Sequence, residues 1–206
     1  MNFFDIHTHK NSSGEDSSIL NSTSYIAGRY ISVGLHPWDI NGDWKEILYG
    51  IEKTAHAGNV VAIGECGFDK IKSSADTATQ TEIFMHQARL AEKTAKPLII
   101  HCVKGFDELI AAYKSVKPKQ AWIIHGFRGN SQQACQLIRC GFYLSLGEYF
   151  NTEAARAIPD ERLFIESDES VKDIADIYRE IAEARGIPVN ELKKIINENR
   201  KRTIRF

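Results

Sequence analysis

Short apolar runs alternate with helical patterns along most of the chain. Seven runs carry the hydrophobic, β-branched composition of strands: residues 3–9, 30–36, 60–66, 98–102, 122–127, 142–147 and 163–168. Several are near-continuous Val, Ile and Leu, as in Leu98-Ile99-Ile100. Such runs suit parallel strands covered on both faces. Between them, apolar residues recur at helical spacing over 44–56, 80–94, 106–113, 131–139 and 153–157, with Phe84, Ala88 and Ala91 sharing one side of the second. Two further helical patterns, 171–185 and 189–201, follow the last strand and are separated by Gly186-Ile187-Pro188.

Strands that alternate with helices predict an α/β protein with a parallel sheet, and seven in series favour a closed TIM-like barrel over an open sheet. At 206 residues the chain is short for that fold, which takes about 250 residues. The shortfall lies between His9 and Tyr30. That Ser- and Asn-rich stretch has room for a short strand around 18–21 but for no full helix. The expected architecture is a compact TIM-like (β/α) barrel with a trimmed first βα unit, residues 1–206 forming one domain. No repeat or linker divides it.

Chemistry concentrates at the C-terminal ends of these strands. The first ends in His7 and His9, and the next in His36-Pro37; others end in Glu65, His101, His125 and Glu166-Ser167-Asp168. In a TIM barrel those ends form one ring at the mouth, where active sites are built. Alternation places Asp5, His7 and His9 on a single face. Two inward imidazoles can chelate one ion while Asp5 orients one of them from behind. Glu65 and Cys66 face opposite ways, leaving Glu65 as the ligand and Cys66 to packing. Glu166 and Asp168 share a face, with Asp168 nearer the mouth and Glu166 supporting it from below.

A single histidine at a strand end has an ordinary structural explanation, and His56 and His86, in helical segments, are assigned to the surface or to packing. Six imidazole and carboxylate groups at successive strand ends are different, because an apolar barrel mouth would leave them without partners. Four histidines, one Glu and one Asp can hold two divalent ions, with Glu65 as a bridge. The mixture, free of thiolate, suits zinc, manganese, magnesium or nickel. Two ions close together lower the pKa of a water and neutralise charge on a scissile group.

Composition narrows the setting. A formal charge of -1 excludes nucleic-acid or membrane binding through bulk positive charge, though not a few local cations gripping a strand end. Four cysteines match no zinc-knuckle spacing, and free thiols in a reducing cytoplasm are expected. No apolar stretch reaches membrane-spanning length. No obligate protein partner is evident.

Taken in order, the motifs resemble the TatD family of metal-dependent nucleases. Asp5-Ile6-His7-Thr8-His9 is similar to the family's opening Asp-x-His-x-His, Gly34-Leu35-His36-Pro37 to its Gly-x-His-Pro, and Ala62-Ile63-Gly64-Glu65-Cys66-Gly67-Phe68-Asp69 to its Glu block. Residues 80–91, 97–101, Ile124-His125-Gly126-Phe127, 158–168 and 199–206 follow the later blocks. The resemblance implies a barrel that binds two divalent metals and hydrolyses phosphodiesters, often at DNA ends. It implies that His7, His9 and Asp168 hold one ion, that His101 and His125 hold the second, and that Glu65 bridges. Asp168 is also the implied general base.

Departures from the family bear on the substrate. Where an Arg is common, Val103 stands here, followed by Lys104, and Arg128 replaces a small residue. The cation is relocated in this reading, making His36, Lys104 and Arg128 the candidate substrate-binding residues. Glu169 follows the terminal Asp where Ala-Pro-Tyr is common, which adds an acid at the rim. Trp38 and Phe127 are assigned to packing near the pocket, with base stacking as the alternative. Three functions remain open. A DNA-end phosphodiesterase leads, a metal-dependent hydrolase of a small-molecule or aminoacyl-tRNA ester or amide is second, and a catalytically silent binding barrel is third.

Overall fold

The computed structural model describes residues 2–10 and 17–205. Eight parallel strands lie side by side in chain order: β1 (Asp5–Thr8), β2 (Ser18–Ser22), β3 (Ile31–Val33), β4 (Val60–Asp69), β5 (Leu98–Val103), β6 (Trp122–Ile124), β7 (Tyr143–Leu146) and β8 (Leu163–Ile165). A parallel bridge between Thr8 and Asp168 brings the two ends of the sheet together. The result is the expected TIM-like barrel, and the short run near residue 18 supplies its eighth strand. Residues 11–16 of the Ser- and Asn-rich stretch, and Phe206 at the end of the closing motif, lie outside the described residues.

Helices α1 (Trp44–Thr54), α2 (Thr77–Thr94), α3 (Phe106–Val116), α4 (Ser131–Cys140) and α5 (Thr152–Ala157) follow β3 to β7 in turn. Both α6 (Ile174–Arg185) and α7 (Val189–Thr203) follow β8. Among the described residues no helix follows β1 or β2, so the trimming extends over two units. No described helix is long and apolar enough to cross a membrane.

Packing between strands and helices leaves the mouth free for polar groups. All ten residues of β4 are buried, as a strand covered on both faces requires. Behind β6, Trp122 packs edge-on against Phe84 of α2 and Tyr113 of α3, with ring centroids 5.2 and 5.3 Å away. Each fully buried ring of this kind contributes about 1.5–3 kcal/mol. Side-chain caps set where helices begin: Asp76 accepts from the Thr79 amide and Asn130 from the Gln133 amide.

One irregularity bears on the site. Along β4 and β5, Ile63 pairs with Leu98 but Cys66 with Ile100, three steps against two. This bulge re-aims the intervening side chain, Glu65, into the mouth.

Candidate metal centre

Four strand ends (β1, β3, β5 and β6) deliver five histidines to one place, and the carboxylate of Glu65 sits among them. Glu65 Oε1 lies 2.7 Å from His125 Nε2, 3.0 Å from His101 Nδ1 and 3.1 Å from His36 Nε2. Its other oxygen, Oε2, lies 3.2 Å from His7 Nε2 and 3.6 Å from His9 Nε2. Asp168 Oδ1 faces the same two rings, at 3.6 and 3.5 Å. The carboxylate therefore divides its oxygens between two sets of imidazoles. Burial would raise the pKa of Glu65, but the imidazoles of His125, His7 and His101 outweigh it and hold the carboxyl well below its usual value.

Carboxylates behind the rings fix two of them. Asp69 Oδ2 takes the far nitrogen of His101 at 3.0 Å, and Glu166 Oε1 takes His125 Nδ1 at 3.2 Å. Glu166 Oε1 also accepts from the Gly126 amide at 2.6 Å. A histidine held this way by a carboxylate has its other nitrogen aimed in a fixed direction at the mouth. Burial opposes charge on His125, yet Glu65 and Glu166 outweigh it and hold its pKa well above the ordinary imidazole value. For Asp69 too, burial is overcome, by amides of Lys72 and Ile71, the Trp38 indole and His101, bringing its pKa down to about 2.

Asp5 departs from its expected role. Its carboxylate reaches no imidazole; Oδ1 accepts from the amides of Ser167 (3.0 Å) and His7 (3.3 Å), and Oδ2 from the Ser167 hydroxyl (2.6 Å). The strand rise explains this: two residues before His7, Asp5 sits about 6.6 Å deeper, level with the backbone of Ser167. It ties β1 to the residue preceding Asp168. Burial drives its pKa up to about 7 despite the opposing Ser167 contacts.

The donor set fits metal ions. Buried His7 makes no hydrogen bond through either ring nitrogen among the described residues, an arrangement too costly to leave uncompensated. Donor atoms of three trios converge within 4.8 Å of one another: His7, His125 and Asp168; His7, His9 and Glu65; His36, Glu65 and His101. All six sequence-predicted ligands belong to these trios. His36, expected to bind substrate, stands at Glu65 as well. Cys66 is buried, its thiol 3.8 Å from the Ile99 carbonyl oxygen; it is the packing residue expected.

Around the centre opens a cleft of about 740 Å³. Lys104 and Arg128 both line it, as do Trp38, Lys72 and Glu169. Phe127 is buried at 3 %, whereas Trp38 is 45 % exposed. Trp38 is nevertheless fixed, because its indole N–H donates to Asp69 Oδ2 at 2.6 Å. Lys72 Nζ lies 4.2 Å from its ring centroid, and Arg128 lies 5.0 Å from that of Tyr149. His56 and His86 are exposed, away from the site.

Several supports escaped the sequence reading. Gln80 and Gln87, seven apart on the buried face of α2, clamp backbone at the mouth. Gln87 brackets Leu35, accepting from its amide at 2.7 Å and donating to its carbonyl at 3.2 Å. Gln80 does the same at Asp69, at 2.9 and 3.2 Å. Asn21 of β2 accepts from the Glu65 amide at 2.9 Å. The available signal was two glutamines at heptad spacing on an otherwise apolar helix face.

Known proteins place this geometry. The model of the family described as TatD related DNase matches residues 5–205. An uncharacterised metal-dependent hydrolase of Bacillus subtilis, YabD, is 30% identical over 201 residues, covering 86% of this chain and 78% of YabD. The 3'-5' ssDNA/RNA exonuclease TatD of Klebsiella pneumoniae is 28% identical over 154 residues, covering 70% of this chain; the match spans 59% of that relative's length. The TatD homologue YJJV of Escherichia coli shares the fold at a TM-score of 0.81 and 20% identity, covering 98% of this chain and 97% of that one. With the family model running the length of the barrel and its mouth lined as described, the chain belongs to the TatD related DNase family of metal-dependent hydrolases.

Proposed function

We propose that the protein is a two-metal phosphodiesterase acting on the ends of nucleic-acid strands, DNA foremost. The observation that carries this reading is the division of the Glu65 oxygens between His7 and His9 on one side and His101 and His125 on the other. His7, His9 and Asp168 would hold one divalent ion, His101 and His125 a second, and Glu65 would serve both sets of histidines. When bound, the ions supply Lewis-acid stabilisation of the phosphoryl oxygens and make an attacking water more acidic. Asp168, whose side chain is part-exposed at the cleft, is the group that would accept a proton from a water there. Asp69 and Glu166 keep the imidazoles of His101 and His125 from turning.

The rim supports a polyanionic substrate. Lys72, Lys104 and Arg128 line the cleft, and cations there pair with phosphate. A volume of about 740 Å³ suits one terminal nucleotide. Relatives described as acting on single-stranded DNA and RNA are consistent with such an end-on substrate. A cytoplasmic setting belongs to this reading, supported by four unpaired cysteines.

A second reading has its own support. Glu148 and Glu169 line the smaller cavity beside Asp168, and acids there disfavour a polyanion. They favour a metal-dependent hydrolase of a small-molecule ester or amide. End-labelled single-stranded DNA incubated with Mg²⁺ or Mn²⁺ separates the two. The phosphodiesterase reading expects stepwise shortening of the label. Absence of cleavage with every divalent metal, alongside turnover of a small ester or amide, overturns it.

A further inference from the structure

Three side chains surround Glu65 Oε1 at nearly equal distances, but their opposite nitrogens face different partners. Behind His101 and His125 stand the carboxylates of Asp69 and Glu166, which only accept. Behind His36 stands a donor: the Trp38 backbone N–H points at His36 Nδ1 from 3.1 Å. His36 is the N-cap of the single helical turn Pro37–Asp39. Trp38 N–H is one of that turn's free amides, and the ring nitrogen satisfies it. Proline at residue 37 has no N–H, so the cap falls to this amide.

The cap fixes the tautomer. An imidazole that accepts at Nδ1 carries its proton at Nε2, the atom 3.1 Å from Glu65 Oε1. Ligation of an ion through Nε2 would need the proton moved to Nδ1, where it would meet the Trp38 N–H donor against donor. Turning the ring to escape that would leave the turn uncapped and lose the contact with Glu65. Placement alone makes His36 a ligand, since its Nε2 converges with Glu65 and His101 closely enough to hold an ion. Its hydrogen bonding makes it a donor.

We propose that His36 is no metal ligand: its Nε2–H is a hydrogen-bond donor for an oxygen of the substrate's phosphoryl group. This rests on the two-metal reading above. Its side chain is 13% exposed and lines the cleft, so the proton that lies against Glu65 Oε1 is also open to an oxygen entering the cavity beside it. His36 then contributes at the rim of the centre what a fixed amide supplies in an oxyanion hole, a preorganised donor aimed at developing negative charge. Gln87 holds Leu35 from α2, and the Trp38 indole packs T-shaped against the ring with centroids 4.7 Å apart, so the donor is fixed from both sides.

Long-range ¹H–¹⁵N NMR of the histidine rings in the full-length, chelator-treated protein, repeated on addition of Zn²⁺, tests this directly. His36 is expected as the Nε2–H tautomer before and after the metal, while the nitrogens of His101 and His125 shift. A Nδ1–H tautomer, or a metal-induced shift of His36 Nε2, overturns the proposal. If no imidazole responds to any divalent ion, the two-metal reading fails, and the tautomer still decides the nature of His36. His36→Asn supplies the second arm, because Asn is a good N-cap and keeps the Trp38 amide satisfied. It should retain the wild-type number of bound ions by elemental analysis, whereas His101→Asn loses one. Inorganic phosphate should bind the metal-loaded His36→Asn protein about tenfold more weakly than wild type. Loss of an ion from His36→Asn, or unchanged phosphate affinity, counts against the donor role.

Discussion

Thr8 and Asp168 pair across the seam of the barrel, and the same pairing sets one side of the candidate metal centre. Asp168 N donates to the His7 carbonyl at 3.0 Å and His9 N donates to the Asp168 carbonyl at 3.2 Å. Backbone closure thereby sets the Asp168 carboxylate between the rings of His7 and His9. Asp168 does this with a left-handed backbone, φ 50°, a conformation that Asn tolerates and β-branched residues resist. Asp168→Asn is therefore expected to melt close to wild type while activity falls by about 100-fold or more. Asp168→Val should add a stability loss of about 1–2 kcal/mol. Thermal melts and initial rates on the three proteins check both; near-normal turnover by Asp168→Asn removes Asp168 from the reaction.

Glu65 contacts both sets of histidines. Glu65→Gln keeps the shape but replaces one oxygen with an NH₂ that has no lone pair for an ion. Metal content after dialysis should fall from two ions towards one per chain. Unchanged stoichiometry would mean that the ions do not share this carboxylate.

Asp69 acts one layer behind. It holds His101 and Trp38 through a single oxygen, while its other oxygen receives the amides of Ile71 and Lys72 at 2.8 and 2.9 Å. Asp69→Ala frees the His101 ring and the cleft wall together. Removing a partner of this kind costs about 10–100-fold in metal affinity. Competition titration with a coloured chelator measures it, and affinity equal to wild type would reduce Asp69 to a loop-forming residue.

The tight fit around Glu65 extends to the backbone. Gly67 has φ 150°, and a Cβ placed there would lie 1.9 Å from the His101 carbonyl oxygen. Strands β4 and β5 cannot part without moving His101. Gly67→Ala is expected to destabilise the fold by about 3 kcal/mol or more, combining a backbone conformation reserved for glycine with an overpacked contact. Urea denaturation reads this directly, and a loss under 1 kcal/mol, roughly that of an ordinary surface change, would show that the strands adjust.

The barrel and the polar residues gathered at its mouth were legible for a simple physical reason. Buried parallel strands advertise themselves as apolar runs, and a polar ligand at the end of such a run breaks the pattern, as His101 does after Leu98-Ile99-Ile100. Contacts made from other elements leave no such local mark. Nothing near Glu65 in sequence indicates that Asn21 holds its amide, 44 residues earlier. Asp69 lies in the family-like block, but its bond to His101 comes from pairing of β4 with β5. Asp5 misled for a related reason: alternation gave its face correctly, but not its depth, and depth decided that it meets Ser167 instead of an imidazole. Strand β2 was foreseen only as a possible run because three of its five residues, Ser-Ile-Leu-Asn-Ser, are polar.

Depth also gives Asp5 a signature in solution. Its carboxyl has an ordinary pKa of 3.8 and is raised by burial to about 7 in the folded chain. Between those values the folded chain holds a proton that the unfolded chain has released. Folding stability contributed at this site therefore falls as pH rises from about 4 to about 7, and is flat above. Neighbouring groups titrate as well: Glu65 and Glu166 are lowered and His125 is raised. The comparison must therefore be made against Asp5→Asn, which removes one titration and leaves the others. In the presence of chelator, urea denaturation of both proteins at about pH 5 and about pH 8 should show wild type losing stability relative to the variant at the higher pH. A difference that stays constant with pH would mean that Asp5 is ionised throughout, its charge carried by the Ser167 amide and hydroxyl alone.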